Sequence, residues 1–195
     1  MNKIIISLAH PKLTKVYLRP LERSDLARCQ KWVNDPDVRN FIGNNFLPSF
    51  AFEEKWYDDL LERKDNIILA IVTKDEHIHI GNMGLDGIDL INRRGGTGAV
   101  IGEKEYWGKG YGTEAKLLLL KHAFDSLGLL KVCSDVLATN PRSKAYLEKT
   151  GYKEEGCKRK HFFKNGKMVD SYIMAIFRED FIPVWKKYTG EDITP

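Results

Sequence analysis

Three glycines in five residues, Gly108, Gly110 and Gly112, stand between an apolar strand-like run, Ala99-Val100-Ile101, and a helical segment. Glycine lacks Cβ and reaches backbone conformations that gather successive N–H groups into one concavity. Those donors, with the positive end of the following helix dipole, favour an anion, best a phosphate. Thr113 either caps the helix or offers its hydroxyl to the same oxygens, and Lys109 adds a mobile positive charge. Taken alone, such a turn is more often just a tight connection. The Walker pattern is excluded because Gly112-Thr113 lacks the intervening Lys, and G-x-G-x-G is not the dinucleotide pattern G-x-G-x-x-G.

In the helix that follows, Leu119, Leu120, Ala123, Phe124 and Leu127 share one broad face, and Glu114, Lys121 and Asp125 the opposite one. Lys116 falls on the apolar side, and the expectation is a long side chain that snorkels to water. A strand-like run, Lys131–Ala138, comes next, then Asn140-Pro141-Arg142-Ser143-Lys144-Ala145-Tyr146-Leu147-Glu148-Lys149-Thr150-Gly151-Tyr152. Asn140 as N-cap and Pro141 at the first helical position start a helix, which Gly151 ends. Tyr146 lies about one and a half turns in, beside the presumed phosphate turn.

These stretches together resemble the GNAT superfamily of acetyl-CoA-dependent N-acetyltransferases. The resemblance is to the branch holding ribosomal-protein N-terminal acetyltransferases and spermidine N-acetyltransferase. It runs over residues 14–181 and rests on Tyr106-Trp-Gly-Lys-Gly-Tyr-Gly-Thr-Glu-Ala115, on the Asn140–Tyr152 segment, and on Phe162-Phe-Lys-Asn-Gly166-Lys-Met-Val-Asp170. It implies an α/β (α+β) fold with a mixed, mainly antiparallel sheet, splayed where acetyl-CoA inserts. The cofactor loop is then Trp107, Gly108, Lys109, Gly110, Tyr111, Gly112 and Thr113, with Asn140 on the pantetheine arm and Ser143 near the cofactor and reacting centre. Tyr146 matches the tyrosine that gives a proton to the departing thiolate.

The sequence departs from that pattern twice. Many relatives carry Gln or Arg at Trp107, so a side-chain phosphate contact is lost while the backbone donors remain. Many also carry a Glu on the strand ahead of the loop as general base, and the aligned residue here is Gly96. Asp86, Asp89, Glu103 or solvent are left as candidates.

At 195 residues, 43% apolar and 30% charged, the chain has ordinary globular composition, read as one domain over 1–195. A net charge of +4 suits an anionic cofactor but does not argue for nucleic acid. Cys29, Cys133 and Cys157 are far apart and odd in number, which suggests reduced thiols in the cytoplasm. The five His show no ligand spacing, so no metal is expected. The apolar run in Met1–Ala9 is too short for a membrane span and reads as an added strand.

Lys15–Pro20 alternates like a strand, and Glu22–Val33 and Val38–Ile42 read as helices broken at Asn34-Asp35-Pro36-Asp37. A further helix is predicted over Glu53–Arg63. Phe41, Phe46, Phe50, Phe52, Trp56 and Tyr57 are candidates for an acceptor pocket, or else ordinary packing. Ile67–Val72 reads as a strand buried on both faces, and His79–Leu90 as its neighbour. Lys153–Phe163 and Lys167–Ile176 form a hairpin at Asn165-Gly166. The basic run Lys158-Arg159-Lys160 reads as a solvated strand face, and the tail from Phe181 as a short helix with a polar end.

The expected reaction is acetyl transfer to a primary amine by direct attack. The acceptor is left open among a protein N-terminus, a polyamine, an aminoglycoside and an amino sugar, and a homodimer is possible. A non-catalytic CoA-binding sensor on the same fold and a nucleotide-binding protein are the alternatives.

Overall fold

The computed structural model describes residues 7–43 and 45–193. Eight strands form one sheet in the order β1-β2-β3-β4-β5-β6-β8-β7. They are β1 (Leu8–His10), β2 (Leu13–Pro20), β3 (Ile67–Thr73), β4 (His79–Asp89), β5 (Arg94–Ile101), β6 (Lys131–Leu137), β7 (Lys153–Lys164) and β8 (Lys167–Phe177). Every neighbouring pair is antiparallel except β5 and β6. Of the N-terminal run read as a strand, Leu8 and Ala9 fall in β1, Ser7 precedes it, and residues 1–6 lie outside the described residues.

β3 shows how the sheet is covered. Side chains alternate along a strand, so Leu69 and Ile71 join one core and Ala70 and Val72 another. The first core is covered by α4 (Tyr111–Lys121), α5 (Pro141–Lys149) and α6 (Arg178–Thr189). The second is covered by α1 (Leu26–Asn34), α2 (Pro36–Arg39) and α3 (Phe50–Glu62). At roughly 1.5–3 kcal/mol per buried large aliphatic side chain, these two layers hold the central strands in place. Among the described residues no helix is long and apolar enough to cross a membrane.

The helix boundaries follow their caps. Ser49 accepts the amide of Phe52, so α3 begins at Phe50 rather than Glu53. Asn140 accepts the amide of Ser143, and Gly151 (φ 97°) follows the end of α5. The β7–β8 turn has left-handed Asn165 and Gly166, as a two-residue hairpin requires. α6 runs twelve residues and buries Phe181 and Trp185, so the tail is a core element and not merely a short helix with a polar end.

α4 corrects two expectations. Leu117, Leu118, Leu119 and Leu120 are all buried, so the helix is embedded rather than one-faced. Lys116 does not snorkel: it is fully buried, because the layers of β-sheet, α5 and the turn after it close over its whole length.

Candidate active site

The site begins where the sheet comes apart. β5 and β6 run parallel and are paired only from Arg94–Lys131 to Gly96–Cys133. Side chains hold the last rung: Thr97 Oγ1 lies 3.2 Å from the Cys133 carbonyl, and the Ser134 hydroxyl donates to Thr97 O at 3.0 Å. The Tyr152 hydroxyl lies 3.1 Å from Thr97 Oγ1 behind the fork. Beyond that rung, residues 98–101 leave β6, and two cavities open on either side of β5.

The first cavity, about 300 Å³, is lined by Ala99, Val100 and Ile101 of β5. Trp107, Gly108, Gly110, Gly112 and Thr113 of the glycine turn, and Asn140, Ser143 and Tyr146 at α5, complete it. Gly110 (φ 87°) is the N-cap of α4, so the backbone itself turns the chain into the helix; Thr113 sits within the first turn and is not the cap. A Cβ on Gly108 (φ 71°) would meet nothing within 4 Å, so the mouth of the turn is open. Exposed amides at a helix N-terminus beside this opening suit a phosphate. Lys109 and Tyr111 belong to the same turn but do not line the cavity. Tyr111 packs edge-on to Tyr106, with the Lys15 ammonium 5.4 Å from its ring.

Trp107 donates its indole N–H to the Ile101 carbonyl at 2.7 Å, tying the turn to the end of β5. The Arg142 guanidinium lies 4.2 Å from the Trp107 ring and 4.7 Å from that of Phe41. The cavity therefore has a permanent cation held by stacking, from a residue not among the candidates read from the motifs. Asn140 uses its side-chain oxygen as the α5 cap and donates its amide to Phe41 O at 3.3 Å. Burial pushes the Tyr146 hydroxyl above its usual range, so it is a firmly protonated donor at neutral pH.

The second cavity, about 680 Å³, lies on the α1/α3 side. Its walls are Gly96–Val100, Met83 and Gly84, Cys29, Phe52 and Trp56, and it carries the carboxylates of Glu53, Asp86 and Asp135. Burial raises the Glu53 carboxyl, a sign that nothing polar on the protein compensates it. Lys158 pairs with Asp135 at 2.7 Å, so that part of the basic run faces a carboxylate. Burial pushes the Cys29 thiol up to about 11, which makes it inert.

Of the six aromatic candidates, Phe52 and Trp56 line this cavity and Phe41 the first one. Tyr57 is core, donating to Leu21 O, while Phe46 and Phe50 are exposed. Among the base candidates only Asp86 reaches the cavity. Asp89 accepts from Asn92 in a turn, and Glu103 accepts the Trp32 indole N–H. Glu53 and Asp135 lie outside the motifs and Arg142 within the Asn140–Tyr152 segment, and only the cavities they line distinguish them.

The sheet is thus forked between two parallel strands, with the glycine-turn cavity on one side and an acidic cavity on the other. The chain belongs to the GNAT acetyltransferases: residues 15–153 match the acetyltransferase (GNAT) domain. Spermidine N(1)-acetyltransferase of Escherichia coli K12 is 28% identical over 172 residues, covering 88% of this chain and 91% of that protein. An uncharacterized N-acetyltransferase p20 of Bacillus licheniformis is 28% identical over 174 residues, covering 86% and 95%. Spermidine N-acetyltransferase from Vibrio cholerae, solved in complex with CoA and spermine, superposes with a TM-score of 0.80 at 26% identity over 86% of this chain and 98% of that one. The enzyme is thus an N-acetyltransferase, transferring an acetyl group to an amine.

Proposed function

We propose that acetyl-CoA is the donor and a small polycationic amine, such as a polyamine, the acceptor. The observation that carries the acceptor class is the clustering of Glu53, Asp86 and Asp135 in one cavity, offset by Lys158 alone among its lining residues. With Lys158 offsetting Asp135, the net of two negative charges stabilises a ligand with more than one positive charge through short-range attraction in a partly desolvated space. A peptide N-terminus carries one such charge, and a polyamine several. The relatives named for spermidine support the same class.

The donor supplies an activated acetyl thioester. Amides of residues 108–113 and the Arg142 guanidinium hold its phosphates, and the unpaired edge of β5 beyond Gly96 aligns the extended arm beside Asn140 and Ser143. Asp86 takes a proton from the acceptor ammonium, directly or through water, leaving a neutral nucleophile. Tyr146 donates its proton toward the departing sulfur.

Thermal stability with acetyl-CoA, desulfo-CoA and ATP tests the donor. A ligand at 100 times its dissociation constant stabilises by about 2.7 kcal/mol, or roughly 5–10 °C for this length. A shift with both CoA compounds and none with ATP is expected; a shift with ATP alone overturns the reading. Thiol release with spermidine, an aminoglycoside and a peptide amine then ranks acceptors. The polyamine is expected first. Preference for the peptide would overturn the acceptor class, and a CoA shift without any thiol release would mean a CoA sensor.

A further inference from the structure

Lys116 lies three residues beyond Thr113, inside the core between α4 and the sheet. Its side chain is fully buried and its Nζ has no hydrogen-bond partner among the described residues. Nζ stands 5.9 Å from the ring centroid of Tyr146 and 5.6 Å from that of Tyr152. Tyr146 also lines the first cavity, while Tyr152 ties back to Thr97 at the fork. One aromatic ring therefore touches both the donor cavity and a sealed amine.

A buried ammonium without a partner costs several kcal/mol, which the group avoids by releasing its proton. Burial brings Lys116 down to about 7, opposed by the negative charge of Asp86 on β4. Tyr146 on α5 and Tyr152 after it are the titratable groups that face it, while Asp86 on β4, which lines the second cavity, acts on it only through its charge. All the charge that a CoA thioester brings to the cavity is negative, and the attraction of an anion raises the proton affinity of a nearby amine.

We propose that Lys116 is a positioning residue for acetyl transfer, neutral in the free enzyme and protonated once the anionic thioester occupies the cavity against Tyr146. The inference rests on the acetyl-CoA reading above. In the transfer the carbon–nitrogen bond forms and the carbon–sulfur bond breaks, with its electron pair on sulfur. The acceptor nitrogen loses its proton to Asp86 or solvent, and Tyr146 gives its own to sulfur. The Lys116 ammonium offsets the negative charge on sulfur and then on the Tyr146 oxygen until solvent reprotonates the tyrosine. Lys116 returns its proton to solvent when the product CoA leaves.

Calorimetric titration with acetyl-CoA at pH 8, in two buffers of different ionisation heat, reads the protons exchanged on binding. Acetyl-CoA has no thiol, and its phosphates are already ionised at that pH. The wild-type enzyme is expected to take up at least about half a proton per acetyl-CoA bound, the linkage expected when an amine titrating near 7 rises above 8. Lys116→Met, of similar length and without charge, is expected to bind acetyl-CoA with that uptake lost. Its kcat should fall at least about tenfold with little change in KM for acetyl-CoA. No proton uptake by the wild type, measured without any variant, overturns the inference. So does Lys116→Met with unchanged uptake and kcat. If the wild type does not bind acetyl-CoA, the donor reading itself fails, and this inference with it.

Discussion

Asp86 Oδ1 occupies the space that a side chain on Gly96 would need: the two residues pair across β4 and β5, and a Cβ at 96 would lie 2.8 Å from that oxygen. Gly96 leaves an empty position on β5 with a carboxylate leaning into it from the next strand. Asp86→Asn is therefore expected to lower kcat at neutral pH by at least about tenfold, or 1.4 kcal/mol of transition-state stabilisation. Because Asp86 is exposed, its stability should change by less than about 0.5 kcal/mol. Steady-state thiol release together with a melting curve checks both, and an unchanged kcat removes Asp86 as the base.

Tyr146→Phe removes one hydroxyl and keeps the ring that fills the space above Lys116. A loss of at least about tenfold in kcat, with acetyl-CoA affinity retained, is the expected result. Full turnover in a folded variant would show that the leaving sulfur is protonated by another group.

Lys116 also leaves a mark on stability. Its proton affinity in the folded chain is depressed from 10.5 to about 7, so between those pH values the unfolded chain holds the extra proton. Stability must then rise with pH across that window and level off below about 7. Lys116→Met should be more stable than wild type at pH 7, by an amount on the order of 4 kcal/mol, and the gap should narrow toward pH 10. Parallel melting curves of both proteins without ligand measure this, and a gap that does not vary with pH contradicts it.

On the other face of the sheet, Asp25 is clasped by Arg19 through two hydrogen bonds of 2.7 and 2.8 Å. It also accepts the Glu22 amide and lies 3.3 Å from His79 Nδ1. These contacts outweigh the burial that alone would raise it, and they hold the carboxyl well below the usual range. The stabilisation is present above pH 3.8, where the unfolded aspartate ionises, and is lost as pH falls further. Asp25→Asn should cost about 3 kcal/mol by leaving Arg19 half-buried and unpaired, and denaturant midpoints at pH 7 report it.

Gly110 sits at φ 87° as the N-cap of α4, where an L side chain is strained by about 1–2 kcal/mol. Gly110→Ala is expected to destabilise by that order and to weaken acetyl-CoA binding, because relieving the strain re-aims the amides of the turn. Gly98→Ala, on the same strand-and-turn unit but with open space around its Cβ, is the control for which little stability change is expected.

The glycine turn, the Asn140 cap and the Asn165-Gly166 hairpin were legible in the sequence because their causes are local. Left-handed backbone, a side chain bonding an amide three residues on, and a two-residue turn involve neighbours in the chain. α3 was read three residues short because Ser49, not the aromatic run after it, provides the cap. Lys116 was misread because helical periodicity reports which face is apolar, not how deep the helix is buried. Its burial comes from α5 and the residues after it, some thirty positions away.

The sequence by itself determined the family, the strand-and-helix order and the glycine turn, since each is carried by short-range backbone preferences and contiguous motifs. The tertiary structure decided which side chains meet. The fork at Gly96–Cys133 opens two cavities, Arg142 stacks on Trp107, three carboxylates from α3, β4 and β6 gather in one of them, and Lys116 is sealed behind Tyr146. Those contacts join residues far apart in the chain, and long-range packing sets them rather than any local propensity.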